Sequence, residues 1–170
     1  MHDLPDGLRA ARLDDADPIA DYFVRCWQVS FRRFVPPEVL AFVESMDMDE
    51  RRALWRERIA PDSDQTVVVA VGHTDQAIGH VMVEGAELVH LFIDPDHHRQ
   101  GWGRILLAEG EHLIVEAGHG VAKLHVAAGN TAAIALYEAT GWSMTDERIT
   151  NDMPNGASFD EHVMRKVLTR

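Results

Sequence analysis

The sequence predicts an α/β fold with a mixed, mainly antiparallel central sheet, one parallel βαβ crossover and helices on both faces. Three observations carry this expectation. The first third of the chain has helical period, the middle holds three short apolar runs separated by turn residues, and a strand, helix, strand succession follows. Strands joined by tight turns pair antiparallel, whereas a helix between two strands returns the chain for parallel pairing.

The elements follow in order. "LRAARL" (8–13) reads as a first strand, and "LDDADPIADYFVRCWQVSF" changes to helical period, with Ile19, Phe23 and Trp27 four apart and Asp14 or Asp15 as the cap. "PPEVLAFVESM" (36–46) opens with prolines suited to a helix start, and "DMDERRALWRERI" begins acidic and ends basic, as the helix dipole favours. "QTVVVAV" (65–71), "AIGHVMVE" (77–84) and "LVHLFI" (88–93) are strands joined by "GHTDQ" and "EGAE", hence a meander. "RILLAEGEHLIVEAG" carries a helical stripe of Leu106, Leu107, Leu113, Ile114 and Ala117 closed by Gly118, before a strand at "VAKLHVAA" (121–128). "NTAAIALYEATGW" reads as a short helix capped by Asn130 and ended by Gly141, and "WSMTDERIT" and "SFDEHVMRKVL" are closing strands around the turn "NDMPNG".

The chain has 170 residues, 46% apolar and 26% charged, which is the composition of one globular domain over 1–170. It has no repeats and no low-complexity linker. With 16 Lys and Arg against 28 Asp and Glu, the formal charge of −12 disfavours nucleic acid and anionic membranes as partners. Cys26 is the one cysteine, so no internal disulfide or cysteine-based metal site is expected, and no spaced His, Cys or carboxylate set predicts a bound metal. Cys26 reads as a small buried apolar residue. No targeting segment or membrane span is expected, which points to a cytoplasmic location.

Against that acidic background, "HHRQGWGRILL" (97–107) sets two glycines among arginines just before a helix. A helix start presents unpaired N–H groups and a positive dipole end, a natural place for phosphate or pyrophosphate. A turn before a helix would also explain glycines here. The dinucleotide pattern G-x-G-x-x-G fails, because Leu106 follows Gly103 by three, and G-x-x-x-x-G-K-[ST] is absent.

"LVHLFIDPDHHRQGWGRILL" and "GNTAAIALYEATGW" resemble the two cofactor motifs of the GCN5-related N-acetyltransferases, and "LRAARLDDADPIADYFVRCW" is similar to that family's opening strand and helix. The resemblance covers nearly the whole chain and implies the acyl-CoA N-acyltransferase fold with acetyl-CoA as acyl donor. His98 stands where the family pattern Q/R-x-x-G-x-G/A has Gln or Arg. The implied cofactor-binding residues are His98, Arg99, Gln100, Gly101, Trp102, Gly103 and Arg104, with Leu91, Phe92 and Ile93 on the preceding strand and Asn130, Ala133 and Tyr137 on the following helix. Around Leu91, Phe92 and Ile93 the family's strand carries a distortion that frees backbone N–H groups for the thioester carbonyl and pantetheine arm.

The implied reaction is direct acetyl transfer to a primary amine through a tetrahedral oxyanion. It needs a docked donor, an unprotonated amine, oxyanion stabilisation and a proton for the departing thiolate. Tyr137 occupies the family's general-acid position, although a helix tyrosine also packs. Three residues compete as base: Glu87, Glu84 and His90. Strand period sets Glu87 and His90 on opposite faces unless the strand bulges. Asn130 divides between cap and cofactor contact, and Trp102 between packing and exposure.

The acceptor is expected to be a cationic small-molecule or peptide amine. It would sit between about 27–46 and 148–158, drawn by Glu38, Glu44, Asp47, Asp152 and Asp160. A catalytically weak coenzyme A binding or sensing module is the alternative reading. The late strands offer an edge for a homodimer.

Overall fold

A computed structural model describes residues 4–169. Seven strands lie in the order β1-β2-β3-β4-β5-β7-β6, where β1 is Leu8–Ala10, β2 Thr66–Val71, β3 Ala77–Glu84, β4 Glu87–Ile93, β5 Val121–Ala127, β6 Ser143–Asp152 and β7 Ser158–Val167. Every neighbouring pair is antiparallel except β4 and β5, which are parallel. The expected meander is β2-β3-β4, and the expected crossover is β4, α4 (Trp102–Glu116), β5. β1 and β6 are the edge strands.

Three helices cover one face and two the other. α1 (Ala16–Val29), α2 (Pro37–Ser45) and α3 (Met48–Ile59) lie on the first. There Ile19, Tyr22, Trp55, Val69 and Met82 form a buried cluster. α4 and α5 (Thr131–Ala139) lie on the second, where Val81, Val83, Leu88, Leu106, Leu107 and Ile114 pack together. The stripe read from α4 supplies that contact. Both sides are covered, so β3 is buried from Ala77 through Val83.

The first strand ends earlier than the sequence suggests, because Leu13–Asp15 form a 3₁₀ turn and Leu13 faces solvent. Asp15 explains the break. Its carboxylate accepts the Arg12 N–H at 2.7 Å and pairs with Arg9 at 2.6 Å, so the chain turns into α1 around a satisfied buried anion.

Gly110 lets α4 lie close to the sheet. A Cβ there would come within 2.7 Å of Val81 and 3.0 Å of Leu88. Gly110→Ala gains about 1 kcal/mol of helix propensity and loses about 1–3 kcal/mol to overpacking. Urea denaturation of the variant will show a net loss of stability, and a net gain would contradict this packing.

Candidate active site

The site begins where β4 and β5 part. Their parallel register covers only Glu87 with Lys123 and Leu88 with Leu124, although both strands continue. On its other side β4 is paired throughout with β3, but the register slips: Met82 faces His90 and Val83 faces Leu88, so Val89 is an extra residue. The distortion expected at Leu91, Phe92 and Ile93 therefore lies just before them. The Asp94 N–H donates to the Ile78 carbonyl on β3 at 2.8 Å. Alternation then turns the N–H groups of Leu91 and Ile93 away from β3, into the gap.

The bulge also changes which side chains share a face. Leu88, Leu91 and Ile93 pack on the α4 side, while Val89 and Phe92 pack on the α1 side. Glu87 and His90, which strict alternation would separate, line one cavity.

A groove of about 610 Å³ runs through the gap to the start of α4. Leu91, Phe92, Ile93, His98, Arg99, Gly103, Asn130, Ala133 and Tyr137, all implicated by the sequence, line it with Arg33 and Phe34. Gly101 is the N-cap of α4 at φ 91°, in the left-handed region that favours glycine. A Cβ there would meet nothing within 4 Å, so the conformation, not crowding, requires this residue. Arg104 N–H bonds back to the Gly101 carbonyl at 3.1 Å. Trp102 and Gly103 N–H groups have no backbone acceptor among the described residues, and the first turn of α4 carries no acidic residue. The groove thus ends in a donor-rich, positive helix terminus.

The other loop side chains divide differently. The His98 ring donates to the Ile93 carbonyl at 2.9 Å, tying the loop to the end of β4. Gln100 and Arg104 are exposed. Trp102 turns back over Gly7, where a Cβ would lie 2.7 Å from its ring, so its side chain packs and only its N–H faces the helix start. Asn130 caps α5 by accepting the Ala133 N–H at 3.2 Å and also lines the groove.

A second cavity of about 350 Å³ adjoins the groove, sharing Tyr137, Asn130, Ala133, Leu91, Phe92 and Phe31. Glu87, His90, His125, Asn151 and Glu161 are polar groups around it, and Phe23, Trp27, Met153 and Phe159 are among its apolar walls. Glu87 pairs with Lys123 at 2.9 Å, and His125 Nδ1 lies 3.8 Å from Glu87 and 4.0 Å from Glu161. Asn151 donates to Glu161 at 3.0 Å. Burial raises the Glu161 carboxyl above its ordinary range, and nearby Glu87 adds to the rise. His125 and Glu161 were not singled out from the sequence.

The acidic residues that sequence analysis assigned to acceptor steering do not line this cavity. Asp47 caps α3, Glu44 accepts from Gln28, and Asp160 accepts from Thr150. Hydrogen-bonded surface acids and cavity acids look alike in a sequence, so formal charge does not single out Glu87 and Glu161. Glu84 also lies outside it, accepting from Gln65 at 3.0 Å.

Burial sets the protonation states. The Tyr137 hydroxyl is pushed well above the ordinary phenol range and stays protonated. The Cys26 thiol is pushed up to about 12, beyond use as a nucleophile at neutral pH. His90 is pushed down to about 3, first by burial and then by the positive charge of Arg58. His80 is lowered by burial too, and stands between Tyr22 at 2.8 Å and His90 at 3.5 Å. His90 is thus a neutral ring of low basicity.

Among known proteins, an acetyltransferase (GNAT) domain model matches residues 35–155. The chain is 50% identical over 70 residues to the [ribosomal protein bS18]-alanine N-acetyltransferase of Escherichia coli, covering 39% of this chain and 45% of that one. The match therefore spans less than half the length of that relative. A GCN5-related N-acetyltransferase from Rhodopseudomonas palustris superposes with a TM-score of 0.81 at 20% identity, over 99% of this chain and 98% of that one. The paiA N-acetyltransferase of Thermoplasma acidophilum, solved with coenzyme A, gives 0.74 at 19% identity over 95% and 98%. Among the described residues, no helix is long and apolar enough to cross a membrane.

The low pKa of His90 predicts an acid-sensitive fold. In the unfolded chain the ring takes a proton near pH 6.5, but in the folded chain only near 3, so this ring's contribution to stability is fully present above pH 6.5 and is lost as pH drops toward 3. The loss is about 1.4 kcal/mol per pH unit within that window, and His80 adds to it. Urea titrations at pH 7 and pH 5 will show it, and His90→Gln will flatten the slope. An unchanged slope would contradict the assignment.

Proposed function

The chain belongs to the GNAT acetyltransferase family, and from that premise we propose that it transfers the acetyl group of acetyl-CoA directly to a primary amine. The observation that carries this reading is the continuity of three features. A donor-rich helix start, a strand edge with outward N–H groups and a cavity containing carboxylates form one path.

The pyrophosphate lies at the start of α4, on the N–H groups of Trp102 and Gly103, with Arg99 beside it. The pantetheine arm runs along Leu91 and Ile93, adding to β4 as a strand would. The same strand edge holds the thioester carbonyl and stabilises the oxyanion as the amine attacks. Tyr137 borders both cavities and is kept protonated by burial, so it donates a proton or hydrogen bond to the departing thiolate.

The amine enters the second cavity beside Glu87 and Glu161. Glu87 is the base, taking the ammonium proton before attack. Lys123, 2.9 Å away, holds the carboxylate in place at the cavity wall. His90 faces the same cavity but is too weakly basic for that proton and acts there as a polar wall. No covalent enzyme intermediate is needed.

Coenzyme A release over a panel of primary amines tests the reaction. Tyr137→Phe and Glu87→Gln will each lower kcat by about a hundredfold or more while leaving acetyl-CoA affinity within severalfold. Unchanged kcat in either variant removes that residue from the chemistry. Gly101→Val places a β-branched residue at a positive φ, and calorimetry will show acetyl-CoA affinity lost. Retained affinity would exclude the loop as the pyrophosphate site.

A further inference from the structure

Arginines of the helical layer commonly meet carboxylates. Arg25 pairs with Asp94, Arg52 with Asp21 at 3.3 Å, and Arg56 with Asp17 at 2.5 Å. Arg51 and Arg58, both on α3, do not follow this pattern. Burial alone lowers each pKa, and no carboxylate among the described residues acts on either. Arg51 is 6% exposed. One of its nitrogens donates to the Val43 carbonyl, while its Nε is buried without a partner. Its guanidinium lies 5.8 Å from the Phe23 ring centre, and that of Arg58 lies 4.9 Å from Trp55.

These two groups line a cavity of about 190 Å³ between the helices and β4, which shares Phe23, Trp27, Val43 and His90 with the acceptor cavity. The buried Arg51 guanidinium without an anion among the described residues is costly, with half-buried Arg58 on the same cavity wall, and a chain with 28 acidic residues has carboxylates that folding could have placed there. A bound ligand would supply negative charge there. Guanidinium forks fit the two oxygens of a carboxylate, and aromatic walls support them by stacking.

We propose that Arg51 and Arg58 bind a carboxylate of the acceptor, so that the substrate is an amino acid or a similar molecule carrying both an amine and an acid. This rests on the reading of amine acetylation above. The amine lies beside Glu87 and Glu161, the acid lies beside the arginines, and the neutral His90 ring stands at the junction. A polyamine is a poor fit, since its second cation would approach Arg58.

The test uses acceptors matched in length but different at the far end. These are 4-aminobutyrate, butylamine and putrescine, the corresponding longer sets, glycine and β-alanine, and a dipeptide with aspartate second. The dipeptide separates a free amino acid from an acidic peptide end as the source of the carboxylate. Coenzyme A release gives kcat/KM, and calorimetry with the coenzyme A-loaded protein gives acceptor affinity without turnover. The best carboxylate-bearing acceptor will exceed its uncharged match by about tenfold or more, and the diamine will fall below both. Arg58→Gln will bring the carboxylate-to-neutral ratio close to one, and Arg58→Lys will retain part of it. Acetyl-CoA binding, in the other groove, reports folding of each variant.

Equal kcat/KM across a matched set, or a ratio unchanged in Arg58→Gln, overturns the carboxylate site while leaving acetyl transfer intact. Arg58-dependent carboxylate binding without turnover of any amine upholds the site and counts against transfer. Absence of carboxylate binding and of turnover overturns the proposal.

Discussion

The brevity of one strand pairing governs the rest of the structure. A parallel pair normally satisfies its backbone groups along its length, but β4 and β5 share only Glu87–Lys123 and Leu88–Leu124 before they separate. Beyond that point the Leu91 and Ile93 N–H groups on the second edge of β4 have no strand partner among the described residues, although the first edge stays anchored to β3 as far as the Asp94–Ile78 bond. The free edge is held rigidly, which is what an extended ligand arm needs in order to bind without ordering the strand first. Val89 acts at the same place. By inserting one residue it turns His90 onto the face of Glu87, so that both line one cavity.

Electrostatics then divides the gap by function. The chain carries a formal charge of −12, yet the first turn of α4 is free of acids and Arg99 lies beside the groove there. At the opposite end two carboxylates, Glu87 and Glu161, flank His125, and further on stand Arg51 and Arg58, which pair with no carboxylate among the described residues. Positive, negative and positive regions therefore succeed one another along the path from the start of α4 through the second cavity to α3. Local fields of this kind decide what binds, whereas net charge affects only long-range approach.

Much of this was legible in the sequence. Period two and period 3.6 located the strands and helices, and the glycine loop with its following helix located the donor-rich end of the groove. Four features were not legible, for specific physical reasons. The bulge at Val89 leaves no mark in "ELVHLFI", since a run of apolar residues reads alike with or without an extra residue. His125 and Glu161 become neighbours only when β5 pairs with β7, a contact between distant segments. Trp102 looked like part of the ligand loop, but its ring is drawn back by the space above Gly7, far earlier in the chain. Arg51 and Arg58 are equally hidden, because "DERRALWRER" does not say which arginines find an acid.

The central claim is that the free edge of β4 receives the acetyl-CoA arm, and residue-resolved amide hydrogen exchange with and without acetyl-CoA tests it most directly. The account predicts slowed exchange at Leu91 and Ile93 on binding, with Phe92, already directed toward β3, changing little. Equal protection of all three, or protection at Phe92 alone, would contradict it.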